Sequence, residues 1–235
     1  MIAILKPSVI LFILLTAAVP VFSNDVFFPT RPGAVQLTAN LNAGGRVEGY
    51  NRQVVTDVRT SGSDMTVIYT VQILDRNRRP VRNSGEREYS VNISDGVLIY
   101  RLDNMMDAFF ASREMNYTMT AGNFLVPSNM APGSRLEDTW MNMSVRVPII
   151  GTVTAQSAMT DIVCTGIEMV TVPAGTFEAY RVTQLTTTTT TGWGRSPIVN
   201  NGVSWYVRGI GVVKSVNYDS RGRVESSTEL HELIR

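Results

Sequence analysis

The residues able to do chemistry are few. His231 is the only histidine and Cys164 the only cysteine. A nucleophilic triad would have to be assembled on His231, close to the C-terminus where chains fray, and no Gly-x-Ser-x-Gly turn is present. One histidine and one cysteine cannot supply a tetrahedral zinc set, and no glycine loop of the phosphate-binding kind occurs. Carboxylates could still pair across a cleft, as in glycoside hydrolysis. The spacing of Asp103, Asp107 and Glu114 fits a solvated helix face equally well. Nine methionines lie between Met105 and Met169, including Met105-Met106 and Met141-x-Met143. Thioethers suit copper(I), but they also fill irregular cores, and with Phe109 and Phe110 they could line a cavity for an apolar ligand. No catalytic constellation results, so the expectation is a protein that is not an enzyme and carries no cofactor.

The elements that would position these residues are mostly strands. In "AVQLTANL", Val35, Leu37, Ala39 and Leu41 alternate with Gln36, Thr38 and Asn40, the pattern of a strand with one buried face. "MTVIYTVQIL" repeats it with Met65, Val67, Tyr69, Val71 and Ile73, and "MNMSVRV" with Met141, Met143, Val145 and Val147. Ser94-Asp95-Gly96 between two such runs reads as a tight hairpin turn. About eleven segments at short spacing give a mainly β fold, a strongly curved antiparallel sheet in the form of a half-barrel or open barrel. One stretch departs from period two. Leu102, Met105, Met106, Phe109 and Phe110 fall at three- and four-residue steps, which predicts one short helix near residues 104–114.

Two further patterns concern turns and edges. "NAGGRVEG" from Asn42 and "DSRGRVES" from Asp219 share Gly-Arg-Val-Glu, and "DRNRRPVR" from Asp75 is a looser relative. In each an Asx residue opens a turn, and the irregular period marks hairpins within one domain, not a solenoid. Thr186 to Thr191 is a pure threonine run, too short and too poor in proline for a mucin-like stalk. Threonine is β-branched, so the run extends the strand beginning near Phe177 but gives neither face a strong preference. The loop after it, with Trp193, is a candidate interaction surface.

The first residues place one lysine, Lys6, before an apolar run that ends in Val21-Phe22-Ser23. This reads as a signal peptide over residues 1–23, cut between Ser23 and Asn24, with a single β domain over 24–235. A membrane anchor would need roughly 20 apolar residues and a basic cluster after them, so no transmembrane span is expected in the mature chain. Without Lys6 the chain has 20 basic and 20 acidic residues. That balance argues against a nucleic-acid partner. A lone cysteine allows no internal disulfide, and Cys164 is expected to be a buried small hydrophobe.

The motifs "FFPTRPGAV", "VPSNMAPGSRLED", "VPAGTFEAYRV", "WYVRGIGVVKS" and "YDSRGRVESSTEL" occur in that order along nearly the whole mature chain. In this order they resemble the TapB-type family of exported bacterial proteins, which share a domain of unknown function. Pro173, Gly175, Phe177, Tyr180, Trp205, Tyr206, Gly209 and Gly211 are the structural residues that the resemblance singles out. It implies a curved antiparallel sheet similar to the half-barrels of lipoprotein carriers, hence a hydrophobic cavity, and no enzymatic activity. The sequence departs from the family in using arginine where relatives often carry lysine and in its pure threonine run. The expectation is an exported envelope protein, periplasmic, outer-membrane-associated or secreted. Its partner is an apolar small molecule or lipid held in the sheet, with Met105, Met106, Phe109, Phe110, Met141 and Met143 as candidate lining. The alternatives are an interaction module that meets another envelope protein through an edge or loop, and a carboxylate-based hydrolase.

Overall fold

The computed structural model of the protein describes residues 25–82, 84–103, 117–147, 151–191 and 197–234. The expected export signal with Ser23 and Asn24, the short helix expected near 104–114 with Met105, Met106, Phe109 and Phe110, and Trp193 all lie outside the described residues. Leu102 and Asp103, where the described stretch ends, are helical. The rest is mainly β.

Among the described residues all the strands join one antiparallel sheet, thirteen strands rather than about eleven. They are β1 (Val35–Asn42), β2 (Val47–Ser61), β3 (Asp64–Asp75), β4 (Arg87–Ser94), β5 (Val97–Arg101), β6 (Tyr117–Ala121) and β7 (Asn123–Pro127). Then follow β8 (Thr139–Val147), β9 (Gly151–Val172), β10 (Gly175–Thr191), β11 (Ile198–Val207), β12 (Gly211–Tyr218) and β13 (Val224–Ile234). Five-residue strands such as β6 and β7 show too few alternations to be counted from sequence. The spatial order is β6-β8-β9-β10-β11-β12-β13-β1-β2-β3-β4-β5-β7. Neighbours are consecutive in the chain except at three places, where β1 pairs with β13, β6 with β8, and β5 with β7. The two strands at the ends of this order, β6 and β7, are separated in the chain by Gly122 alone. One continuous run of chain therefore pairs with β8 through its first half and with β5 through its second. The sheet curls into a nearly closed barrel.

The turns follow their residue chemistry. Asp95 and Gly96 have φ of 48° and 74°, the left-handed pair of a two-residue hairpin whose twist matches the strands. The three Asx motifs form one structure repeated. Asn42 Oδ1 accepts from the backbone N–H groups of Gly44 and Arg46, Asp75 Oδ1 from Asn77 and Arg79, and Asp219 Oδ1 from Arg221 and Arg223, all at 2.8–3.1 Å. Gly45, Arg78 and Gly222 then take the left-handed conformation, with φ of 72°, 62° and 75°. These bonds hold the Asp75 and Asp219 carboxyls below the usual range, with the backbone N–H of Arg79 and of Arg223 the leading cause. Because antiparallel strands reverse at each turn, the three motifs stand at one end of the barrel, on alternate connections.

The other end is filled by the N-terminal segment. Phe27 and Phe28 are buried, and they reach opposite walls. Phe27 meets the rings of Tyr180 and Tyr206 edge-on at 5.1 and 6.1 Å, while Phe28 lies 5.2 Å from Tyr69 and 6.0 Å from Tyr100. Burying each phenylalanine contributes about 2–3 kcal/mol. Arg208 fastens this plug. Its guanidinium lies about 5 Å over the rings of Phe27 and Tyr180, and donates to the Tyr180 hydroxyl and the Asp25 carbonyl. Gly209 N–H donates to the Val26 carbonyl at 2.7 Å. The main core lies behind the plug, with Val55, Val67, Val91, Leu98, Val126, Ile162, Cys164 and Val182 almost fully buried. A second cluster, Val170, Val172, Ala179, Val207, Ile210, Val213 and Leu230, sits where the β9–β10 hairpin tip curls against β13, with Phe177 packed on it.

Two expectations about faces meet different outcomes. Threonines 186 to 190 are strand residues and all half-buried, as a run without in/out contrast should be. Their hydroxyls pair across to β9, Thr188 with Ser157 at 2.8 Å and Thr191 with Thr154. In β1 the alternation is real, but its apolar side does not face the barrel interior. Leu37 and Ala39 join Tyr50 and Leu74 in a small cluster on the outer side, and Gln36 and Thr38 point inward. The outer cluster is sheltered by the Asp75 turn, where Pro80 bridges back to Leu74 and Arg78 lies 5.3 Å over the Tyr50 ring.

Gly211 combines a φ of 100° with a backbone contact, since a Cβ there would stand 3.1 Å from the Phe27 carbonyl oxygen. Gly45 has a φ of 72° and open space around its missing Cβ. Gly45→Ala should therefore cost only the left-handed strain of about 1–2 kcal/mol, and Gly211→Ala distinctly more because the plug must also move. Urea unfolding of both variants checks the order; equal losses would show that the plug does not press on Gly211.

Candidate functional site

Between the plug and the rim of Asx turns the barrel encloses a partly open cavity of about 530 Å³, within the usual range for small-molecule sites. Its wall divides around the circumference. Over adjacent strands from β10 through β2, the inward residues are mainly uncharged and polar: Gln184, Ser204, Thr228, Gln36, Thr38, Asn51 and Gln53. Over β3, β4, β5, β7 and β9 they are Tyr69, Val71, Ile73, Tyr89, Tyr100, Phe124 and Met159. Phe28, Tyr206 and Ile210 form the floor at the plug. No charged residue lines the cavity among the described residues.

Local structure explains both arcs. On β1 and β2 the register pairs Gln36 with Gln53 and Thr38 with Asn51, so four polar side chains share one face. Gln36 is held by a buried bond from its Nε2 to the Ile210 carbonyl at 2.8 Å, which ties the polar arc to the floor. Asn51 donates to Asn40, and the Thr228 and Ser215 hydroxyls are hydrogen-bonded to each other. Gln53 and Gln184 have no side-chain hydrogen bond to the described residues, and both are half-buried. Gln184 has room because Gly202 lies beside it; a Cβ at Gly202 would come within 2.9 Å of the Gln184 side chain. Across the cavity, Tyr69 and Tyr89 stack with ring centroids 5.7 Å apart, and Tyr100 leans on Phe124 at 6.3 Å. Burial pushes the phenols of Tyr69, Tyr100 and Tyr206 well above the ordinary tyrosine range, with neighbouring tyrosines adding to the rise at Tyr69 and Tyr100. They are therefore uncharged groups.

The residues singled out from sequence are distributed as follows. Met141 and Met143 are half-buried on β8, where Met143 faces Met119 of β6, and they lie outside the cavity lining. Tyr180 and Tyr206 stand inside on the plug, and Tyr206 reaches the cavity. Pro173 and Gly175 make the β9–β10 turn, and Gly209 and Gly211 the β11–β12 turn against the N-terminal segment. Trp205 points outward, donating from Nε1 to Glu168 with Lys214 near its ring. His231 lies against the Tyr50 ring on the outer cluster, away from the cavity. Cys164 is fully buried, and burial raises its thiol pKa, which makes it a poor nucleophile. The polar arc was missed because an inward-facing Gln or Thr leaves the same period-two trace as a solvated one. The aromatic arc was visible in part, as Tyr69 belongs to the inward set of β3.

The sequence model of the family described as DUF3108-like matches residues 31–230. No curated protein matches the chain. The fold is similar to that of a Bacteroides fragilis protein described as exported and YmcC-like, with a TM-score of 0.71 and 20% identity over 89% of this chain and 99% of that one. It is also similar to a Parabacteroides distasonis protein described as a lipoprotein, with a TM-score of 0.72 and 20% identity over 89% of this chain and 98% of that one.

Because burial raises the folded-state pKa of these phenols, their contribution to stability is intact below the ordinary tyrosine value of about 10 and is lost as pH rises beyond it. An absorbance titration of tyrosinate, run beside circular dichroism, should show Tyr69, Tyr100 and Tyr206 ionising only with alkaline unfolding, and Tyr206→Phe should shrink that late phase. Complete ionisation of a still-folded protein would contradict the burial of this wall.

Proposed function

The chain belongs to the DUF3108-like family, and we propose that it is an exported, non-catalytic protein of the bacterial cell envelope, of the TapB type, that holds an apolar or lipid-like ligand inside its barrel. The observation that carries this reading is the cavity. A barrel of about eight strands is narrow enough for side chains to fill it, whereas larger barrels enclose cavities; in this nearly closed thirteen-stranded sheet about 530 Å³ remains between a plugged end and a polar rim. The aromatic arc offers the apolar contact area such a ligand needs. Export is supported by the descriptions of the two similar structures, one exported and one a lipoprotein, and by the charge and apolar pattern of residues 1–23.

The competing readings find less support. An interaction module without a ligand calls for a filled interior. A carboxylate hydrolase calls for two acids in a cleft with at least one carboxyl raised. No carboxylate lines this cavity among the described residues, and the two carboxyls with a clear shift, Asp75 and Asp219, are shifted down on the turn rim.

Native mass spectrometry of protein purified from its own envelope fraction, followed by solvent extraction, should reveal a co-purifying small molecule. Ser204→Phe, which fills the cavity from the β11 side, should abolish that occupancy while the protein still melts cooperatively. Repeated preparations without any bound species would remove the ligand-holding role.

A further inference from the structure

Resting on the reading of the barrel as a ligand container, we infer that its ligand is an uncharged facial amphiphile, with hydroxyl or amide groups along one side and an apolar surface along the other. The division of the wall carries this. A head-to-tail amphiphile such as a fatty acid would be matched by a cavity polar at one end and apolar at the other. Here the two chemistries face each other along the cavity, the carboxamides and hydroxyls on the arc from β10 to β2 and the aromatic and aliphatic groups on the arc from β3 to β7 with β9. A ligand lying along the barrel axis therefore meets carboxamides and aliphatic hydroxyls on one flank and mainly ring faces and aliphatic groups, with the tyrosine hydroxyls at the ring tips, on the other.

The polar arc is built for a neutral partner. Gln53 and Gln184 each present both a donor and an acceptor, and neither spends them on the described protein. Bringing a carboxylate or ammonium group here would strip its hydration without a counter-charge in return. Polar groups aimed inward also discriminate in the other direction. A site that bonds a ligand hydroxyl rejects the analogue that lacks it, because the site's own groups are then left unpaired. The stacked Tyr69 and Tyr89 and the Tyr100–Phe124 pair supply flat apolar surface for the opposite flank. A glycan with its ring faces on the aromatics and a hydroxylated polycycle share this chemistry.

Calorimetric titration of the full-length mature protein with five probes tests the inference. Methyl cholate is an uncharged polycycle with hydroxyls on one face, methyl cholanate the same skeleton without them, and cholate its charged form. Maltotriose represents the glycan and decanoate the head-to-tail anion. Methyl cholate or maltotriose, whichever names the source, should bind at least about ten-fold tighter than methyl cholanate, cholate and decanoate. Gln53→Met with Gln184→Met, close in volume and lacking hydrogen bonds, should remove that preference without lowering the melting temperature. Gly202→Ala, which displaces the Gln184 side chain without changing the identity of any lining residue, should weaken the preferred probe as well. Preference for methyl cholanate, cholate or decanoate would overturn the facial, uncharged ligand and leave the container reading in place, as would unchanged selectivity in a folded double variant. Binding of none of the five overturns this inference, and with an empty native spectrum it removes the container as well.

Discussion

Everything in this protein depends on how the sheet ends. A thirteen-stranded sheet has two edge strands, each a row of unpaired backbone groups open to any passing strand. Here those two edges are one piece of chain, with β6 paired to β8 and β7 paired to β5 and a single glycine between them. Gly122 makes the switch. Its N–H donates to the Trp140 carbonyl at 2.9 Å, and a Cβ would stand 3.0 Å from the Thr139 hydroxyl and 3.4 Å from the Trp140 ring. The seam is completed just beyond, where Gly133 and Leu136 donate to the carbonyls of Cys164 and Ile162 on β9 and Cys164 donates back to Ser134. The curvature, the enclosed volume and the separation of inner from outer faces all follow from this closure.

Once the sheet closes, filling becomes the second problem, and the chain solves it unevenly. One end receives Phe27, Phe28 and the large buried cluster around them. The remaining length is lined by residues that neither meet across the middle nor belong in an apolar core. Gln36, Gln53 and Gln184 facing Tyr69, Tyr89 and Tyr100 are a poor recipe for stability and a good one for selective contact. The tie from Gln36 to the Ile210 carbonyl shows the two regions cooperating, since the same turn that accepts the plug also orients the first residue of the polar arc.

How much of this could be read from the residues depends on which physical signal each feature leaves. Strands with an apolar inner face, such as β3 with Val67, Tyr69 and Val71, announced themselves, as did turns whose side chains bond their own backbone, such as Asn42, Asp75 and Asp219. Closure left almost no trace, because β6 and β7 are short and their partners are distant in sequence. The inner polar arc was concealed by symmetry. In β1 both faces are sheltered, one by the cavity and one by the Tyr50 cluster, and alternation alone assigns the apolar side inward. Met141 and Met143 sit on β8 paired with β6 and are not among the described residues that line the cavity. The family motifs mark the plug, the seam and the turns that receive them, which are the places where a barrel of this kind has least freedom.

The pairing of β1 with β13 joins the first strand of the sheet to the last. A nascent chain can form the β2–β3 or β9–β10 hairpin as soon as each emerges, but the ring stays open until residues 224–234 arrive to bridge β12 and β1. Such non-local pairing is slow, and it leaves sheet edges exposed while the chain waits. Timing is thus written into the topology: the ring cannot close before β13 has been made, so a polypeptide threading a narrow channel would stay threadable until that strand has passed.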